Sequence, residues 1–220
     1  MKEDPFRDKK VLLLVRDPRD VVVSMYFHVA KRSRAEARAR QRLPEDMLRD
    51  LPIFDFILGA KYSRLPRHVA FLNRWMKRIR AHPRSLVVRY EDMHADPARV
   101  LRRVMEFIGG DVTERQIDGA VAFASFENLR ARERQGFFRG GRLRAADPDD
   151  PDSYKVRRGK VGGYRDYLTP DQVARVDAFV ASRLNPFYGY AAAGAGHGPE
   201  EAQTAGPTMT TAAEGAAAPP

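Results

Sequence analysis

The sequence contains no cysteine, which excludes disulfides and thiolate-bound metal and is compatible with a reducing compartment. Long apolar runs are also missing. The longest relevant stretch, VLLLV from Val11 to Val15, is far too short to cross a bilayer. The opening residues, MKEDPFRDKK, are charged, and no apolar segment follows them in signal-peptide position. A soluble, cytoplasmic protein with no membrane partner is the expectation. No repeat of fixed period is present. A Gly-x-x-x-x-Gly-Lys-Ser/Thr phosphate loop is absent as well, which sets aside a nucleotide kinase.

What is present is one domain's worth of chain: 220 residues, 43% of them apolar. The net charge is +10. All Lys and Arg lie before Ala191, whereas Glu200, Glu201 and Glu214 lie beyond it, so the body is more basic than the whole. An excess of this kind favours polyanionic partners without choosing among nucleotides, nucleic acids and acidic polysaccharides. From Ala191 the sequence is low in complexity and has almost no large apolar side chains. Such a segment cannot offset the entropy of ordering. The expected division is a domain over 1–190 and a disordered tail over 191–220.

Two strands stand out. VLLLV is short and continuously apolar, as expected of a strand covered on both faces, and SLVVRY (Ser85 to Tyr90) is the second. Each precedes a helix start. Asp17-Pro18 supplies an N-cap and a proline at the first helical position, with Asp20 in the first turn. Asp96-Pro97 does the same for a helix ended by Gly109-Gly110. Thr113 and Gln116, then Thr169 and Gln172, are spaced as capping boxes. The second opens a helix with an apolar stripe at Val173, Val176, Val180 and Leu184, stopped by Asn185-Pro186. Phe71 to Ile79 reads as a helix with a buried face, and Trp75 as a core residue. Lys31 to Arg42 is strongly basic, either a solvated helix face or an anion-binding rim. Strands alternating with helices predict an α/β fold with a parallel sheet.

In such a sheet, ligands bind beyond the carboxyl ends of the strands. Arg16 stands at one of these ends, and the helix that follows offers free N–H groups and the positive end of its dipole. Ser24 lies two turns into that helix. A guanidinium fork and a hydroxyl facing one space suit a phosphate. The spacing alone is equally compatible with Arg16 pairing to Asp17 or Asp20 and Ser24 being a small helix residue.

The segment VRDPRDVVVSMYFH closely resembles the 3′-phosphate-binding segment of sulfotransferases that use 3′-phosphoadenosine 5′-phosphosulfate (PAPS), whose arginine and serine match Arg16 and Ser24. Three further segments follow in family order. VVRYEDMHADP is similar to the family's Tyr-Glu-Asp segment, which implies that Tyr90 lies near adenine. ASFENL is similar to the Thr-Ser-Phe segment, which implies that Phe126 packs on the adenine ring, with Ala124 in place of threonine. VRRGKVGGYRDYLTPDQ resembles the Arg-Lys-Gly-x-x-Gly-Asp-Trp-Lys-Asn-x-Phe-Thr segment. There Arg157, Arg158 and Gly159 would close over the 3′-phosphate. Arg158 stands for lysine, Gly163 for aspartate, Tyr164 for tryptophan and Leu168 for phenylalanine.

The resemblance implies a three-layer, P-loop-NTPase-like parallel sheet flanked by helices. It also implies transfer of a sulfuryl group from PAPS, without a metal, to a hydroxyl or amine of a small-molecule or carbohydrate acceptor. Nucleic acid is not a partner in this reading. The family's Pro-Lys-Ser-Gly-Thr loop for the 5′-phosphosulfate, and its histidine or glutamate base, precede the arginine segment. Neither occurs in these 220 residues, so the domain is expected to be N-terminally truncated and to present VLLLV as an apolar edge. The catalytic residues are therefore unassigned; His28, His68 and His94 sit where the family has no base. Two alternatives stand beside this reading: a chain that binds 3′-phosphoadenosine 5′-phosphate (PAP) and transfers nothing, and a basic nucleic-acid or polysaccharide binder. The acceptor pocket is expected from the segments Ser33 to Arg67 and Arg130 to Tyr154. Arg142 to Tyr154 reads as a mobile loop and a candidate lid.

Overall fold

The computed structural model describes residues 5–32, 51–138, 145 and 147–191. Strand β1 (Val11–Val15) runs parallel to β2 (Ser85–Arg89), with Leu12 opposite Leu86 and Leu14 opposite Val88. Between them lie α1 (Pro18–Phe27), which continues as a π-helical turn over His28–Arg32, then α2 (Ile53–Leu58) and α3 (Leu65–Ala81). After β2 come α4 (Tyr90–Ala95), α5 (Pro97–Ile108), α6 (Glu114–Phe123), α7 (Phe126–Arg134) and α8 (Pro170–Arg183). The fold is α/β with a parallel sheet, as the alternation predicts.

The sheet separates two apolar clusters. On one side Leu13 and Val15 of β1 and Val87 of β2 meet Val22 and Val23 of α1, Leu65, Val69, Leu72 and Met76 of α3, and Val176 and Val180 of α8. Burying aliphatic side chains of this size contributes about 1.5–3 kcal/mol each. On the other side Leu86 and Val88 are covered by Val100, Val104 and Phe107 of α5. That helix ends where Gly109 adopts φ +82°, a left-handed geometry that glycine takes without strain. The result is helix, sheet and helix in three layers.

Several expectations need correction. VLLLV is not covered on both faces: Leu12 and Leu14 are 40% and 55% exposed. They continue the face that α5 covers over β2, but α5 does not extend over β1. Among the described residues β1 pairs with β2 alone. Trp75 is half-buried rather than core. It flanks the buried stripe Leu72, Met76 and Ile79 and packs against Phe6 and Phe71 with ring centroids 5.8 and 6.2 Å away. The helix expected over Phe71 to Ile79 begins earlier, at Leu65, and Tyr90 opens α4 rather than ending β2. Both capping boxes form. Of the expected tail, 192–220 lies outside the described residues, as do 33–42 of the basic stretch. Lys31 is described, and it forms an ion pair with Asp150 at 3.1 Å.

A buried polar cluster locks the carboxyl ends of the strands to the C-terminal part of the chain. The Arg19 side chain, 6% exposed, holds Asp17 at 2.6 Å and Asp177 of α8 at 2.6 Å, and lies over the Tyr164 ring. The Tyr164 hydroxyl donates to Asp177 at 2.6 Å. Glu91 accepts from the Asp17 N–H at 2.9 Å and from the Tyr190 hydroxyl at 2.5 Å. Burial opposes the charge on Arg19, but the two carboxylates outweigh it and strengthen its hold on the proton. Burial likewise works against ionised Asp177, yet Tyr164 and Arg19 hold its carboxyl below the usual range.

Candidate nucleotide site

The β1–α1 corner is the first wall. The Asp17 side chain accepts from the Arg19 N–H at 2.9 Å and so caps α1. Arg16 precedes this cap and turns its guanidinium over the Tyr90 ring, 4.2 Å from the centroid, which joins the ends of β1 and β2. One terminal nitrogen of Arg16 donates to the Lys160 carbonyl at 2.8 Å and lies 3.3 Å from Asp20. Its Nε is buried and has no hydrogen-bond partner among the described residues. The ring beneath satisfies the face of the guanidinium, not a donor in its plane. An orphaned charged donor of this kind costs about 1–3 kcal/mol unless an anion meets it.

Asp20 carries the connection to the second wall. Its carboxylate accepts from the Gly162 N–H at 2.8 Å and the Tyr164 N–H at 3.0 Å, so the turn after Lys160 is pinned to α1. Sequence reasoning gave Asp20 a place in the first helical turn and an alternative pairing with Arg16, but no part in holding the turn after Lys160. The available signal was the second Asp of Arg-Asp-Pro-Arg-Asp, one turn after Arg16. The open alternative that Arg16 pairs with an acid is therefore correct in part, since Asp20 takes one nitrogen and leaves Nε.

Arg157 and Arg158 form the rim. Arg157 lies over the Phe27 ring at 3.9 Å and donates to the Tyr167 hydroxyl and to Asp152, the latter at 3.2 Å. Arg158 donates to the same hydroxyl at 2.9 Å and pairs with Asp166 at 3.2 Å. Tyr167 itself packs on Phe27, 4.9 Å between centroids. Ser24 is exposed and lies one turn before Phe27 on the same side of α1, which is where Arg157 reaches. Tyr167 was missed in the sequence; nothing in its spacing distinguishes it from a packing tyrosine.

The base of the site is Phe126 at the start of α7, capped by Ser125. Gly159 sits against it with φ +61°. A Cβ there would come within 2.6 Å of the Phe126 ring. Gly159→Ala is therefore expected to destabilise the chain by about 1–3 kcal/mol and to displace Phe126. Thermal unfolding together with the Phe126 ring signals in NMR checks this; unchanged ring signals would show that the close approach is not needed. The sequence-marked residues thus fall into one chain of contacts: Tyr90 to Arg16, Arg16 to Lys160, Gly159 to Phe126, and Arg157 to the α1 face bearing Ser24. Of the segment 142–154, expected as mobile, 142–144 and 146 lie outside the described residues; within 147–154 the Asp149 N–H donates to the Asp147 side chain at 2.9 Å and the Tyr154 hydroxyl to the Pro148 carbonyl at 2.9 Å. Among the described residues no cluster of three or more His, Asp or Glu side chains is arranged to hold a metal, and no helix is long and apolar enough to cross a membrane.

Comparison with known proteins adds a family, two relatives and two solved structures. The family model described as the sulfotransferase domain matches residues 5–187. Cytosolic sulfotransferase 16 of Arabidopsis thaliana is 31% identical over 183 residues, which cover 80% of this chain and 50% of that protein. Flavonol 3-sulfotransferase of Flaveria bidentis is 25% identical over 190 residues, covering 80% of this chain and 54% of the relative. Among solved structures, retinol dehydratase in a complex with retinol and PAP superposes with a TM-score of 0.54 at 23% identity, covering 82% of this chain and 49% of its own. A mouse sulfotransferase complexed with PAP superposes with a TM-score of 0.51 at 20% identity, covering 80% and 58%. At these identities the structures establish the fold. The chain spans about half the length of the two plant relatives.

Proposed function

The chain belongs to the sulfotransferase domain family, and from that premise we propose that it binds the nucleotide end of PAPS and serves sulfuryl transfer to a hydroxyl or amine of a small-molecule or carbohydrate acceptor. The observation that carries this reading is the buried Arg16 Nε, unpartnered at the carboxyl end of β1 and stacked on Tyr90. The Gly159–Phe126 approach supports it from the other side, since the backbone there meets an aromatic ring closely enough to leave no room for a Cβ. Arg16, Ser24, Arg157, Arg158 and Gly159 would hold the 3′-phosphate; Tyr90 and Phe126 would bound the adenine. PAPS when bound supplies the activated sulfuryl group, and no metal is called for. The named residues anchor and orient it; they donate hydrogen bonds in place and take no proton from the acceptor.

The same reading takes 1–190 as the domain and 191–220 as an appended tail, with 147–154 as part of a lid. A cytoplasmic setting agrees with the names of the cytosolic plant relatives. Retinol and flavonol, in the names of those proteins, support the small-molecule part of this acceptor reading.

The test is a titration of PAP and of 5′-AMP into the chain, followed by thermal unfolding. PAP at about one hundred times its dissociation constant should add roughly 2.7 kcal/mol of stability, and AMP clearly less. Equal response to the two nucleotides, or a steep salt dependence with no nucleotide response, would return the chain to general polyanion binding. Incubation with PAPS and a panel of phenols, alcohols and sugars then separates transfer from binding alone.

A further inference from the structure

Helix α7 presents two charged side chains one turn apart to the segment that carries the rim arginines. Glu133 is 2% exposed. One of its oxygens accepts from the Lys155 N–H at 2.7 Å and the other from the Val156 N–H at 2.8 Å. Arg130, three residues earlier on the same face, donates to the Val156 carbonyl at 3.0 Å and to the Arg157 carbonyl. Its guanidinium lies 5.9 Å from the Phe126 ring centroid and 5.5 Å from that of Tyr154. The two side chains thus grip four main-chain groups of consecutive residues, as a neighbouring strand would. The last of those residues is Arg157.

We propose that Glu133 and Arg130 are positioning residues for 3′-phosphate recognition, setting the main chain from which Arg157 and Arg158 reach the nucleotide. This rests on the nucleotide reading above. The physical case is one of precision. Arginine and lysine side chains carry a large rotamer entropy, so a phosphate contact is strong only where the main chain that bears them is fixed. Arg157 has further restraints at Tyr167, Asp152 and Phe27. Those fix the tip, whereas the α7 grip fixes the root. The grip is also charge-specific. Two parallel N–H donors fit the two oxygens of a carboxylate; an amide in its place accepts one of them and turns its own NH2 against the other. Because α7 begins with Phe126, the adenine wall and the root of the phosphate rim are set by one helix.

The experiment is Glu133→Gln in the full chain, with PAP and 5′-AMP affinities measured by calorimetric titration beside thermal unfolding. The expected result is a PAP dissociation constant raised about tenfold with AMP affinity unchanged, so that the preference for the 3′-phosphate collapses. Arg130→Lys keeps a cation near Phe126 but loses the fork that spans two carbonyls, and it is expected to act in the same direction. A lower melting temperature with the PAP-to-AMP ratio intact would overturn the proposal, because a purely structural role moves both nucleotides together. Loss of the unfolding transition in both variants would likewise overturn it and make the grip a folding element. A wild-type chain that does not prefer PAP over AMP refutes the nucleotide reading itself, and this inference with it.

Discussion

Arg16→Met is expected to raise the dissociation constant for PAP by about a hundredfold while leaving AMP binding nearly unchanged. Two charge-assisted hydrogen bonds to a phosphate supply about 3 kcal/mol together, which corresponds to that factor. Methionine keeps an unbranched stem against the Tyr90 ring, so the loss is in donors rather than in packing. The variant also gives up the bond to the Lys160 carbonyl and the contact with Asp20. The turn at Gly162 remains pinned, since Asp20 still accepts from Gly162 and Tyr164. The effect on folding should therefore be small beside the effect on PAP. Arg16→Lys restores charge but not the planar fork, and should fall between the two. Parallel calorimetric titrations decide the matter: a PAP affinity unaffected by Arg16→Met would remove Arg16 from the site.

The second large effect concerns stability rather than binding. Arg19→Met takes the cation from buried Asp17 and leaves Asp177 with Arg165 alone, whose terminal nitrogen lies 3.2 Å from its other oxygen; breaking a buried pair in this way costs about 3–5 kcal/mol. For a chain of this size that is a fall in melting temperature of about 10 °C. The pH dependence changes with it. The Asp177 carboxyl is held below its ordinary range in the folded chain. Its contribution is therefore present above the unfolded value near about pH 4 and is lost as pH falls through the folded value. Tyr164 and Arg165 still hold the carboxyl down, but removing Arg19 relieves part of the depression, so the variant should lose less additional stability on acidification than the parent does. Denaturant unfolding at pH 7 and at about pH 3 measures both quantities. A variant as stable as the parent at pH 7 would show that Tyr164 and Arg165 suffice for Asp177.

The helix starts were the most legible part of the fold because their signals are local. Asp17-Pro18, Asp96-Pro97 and the Thr113 and Thr169 capping boxes each work within one turn, and all four open the helices they predict. Coverage of β1 was not legible. A continuous apolar run says that a strand can be buried on both faces, whereas Leu12 and Leu14 show that it need not be. In the site, Arg16 was visible because an arginine at a strand end is chemically distinctive, and Tyr90, Phe126 and Gly159 through resemblance. Glu133, Arg130, Asp20 and Tyr167 were not. The first three act on main-chain groups 22 to 144 positions away, and a residue that binds another segment's backbone leaves no residue-type pattern at its own position.

The spans of the contacts that close the corner have a consequence for biosynthesis. Arg16 meets Lys160 across 144 positions, and Arg19 meets the Tyr190 carbonyl across 171. Chains emerge from the ribosome in order, and distant pairings form only after the intervening loop entropy has been overcome. The β1–α1 corner is made first, but it has neither its rim nor its lock until the segment through Tyr190 has been released. A nascent chain stalled before α8 would hold a capped α1 and a cradle with one wall. Nucleotide capture at the proposed site would thus await the segment through Tyr190, and a labelled PAP analogue would time the last step of maturation rather than the first collapse of the core.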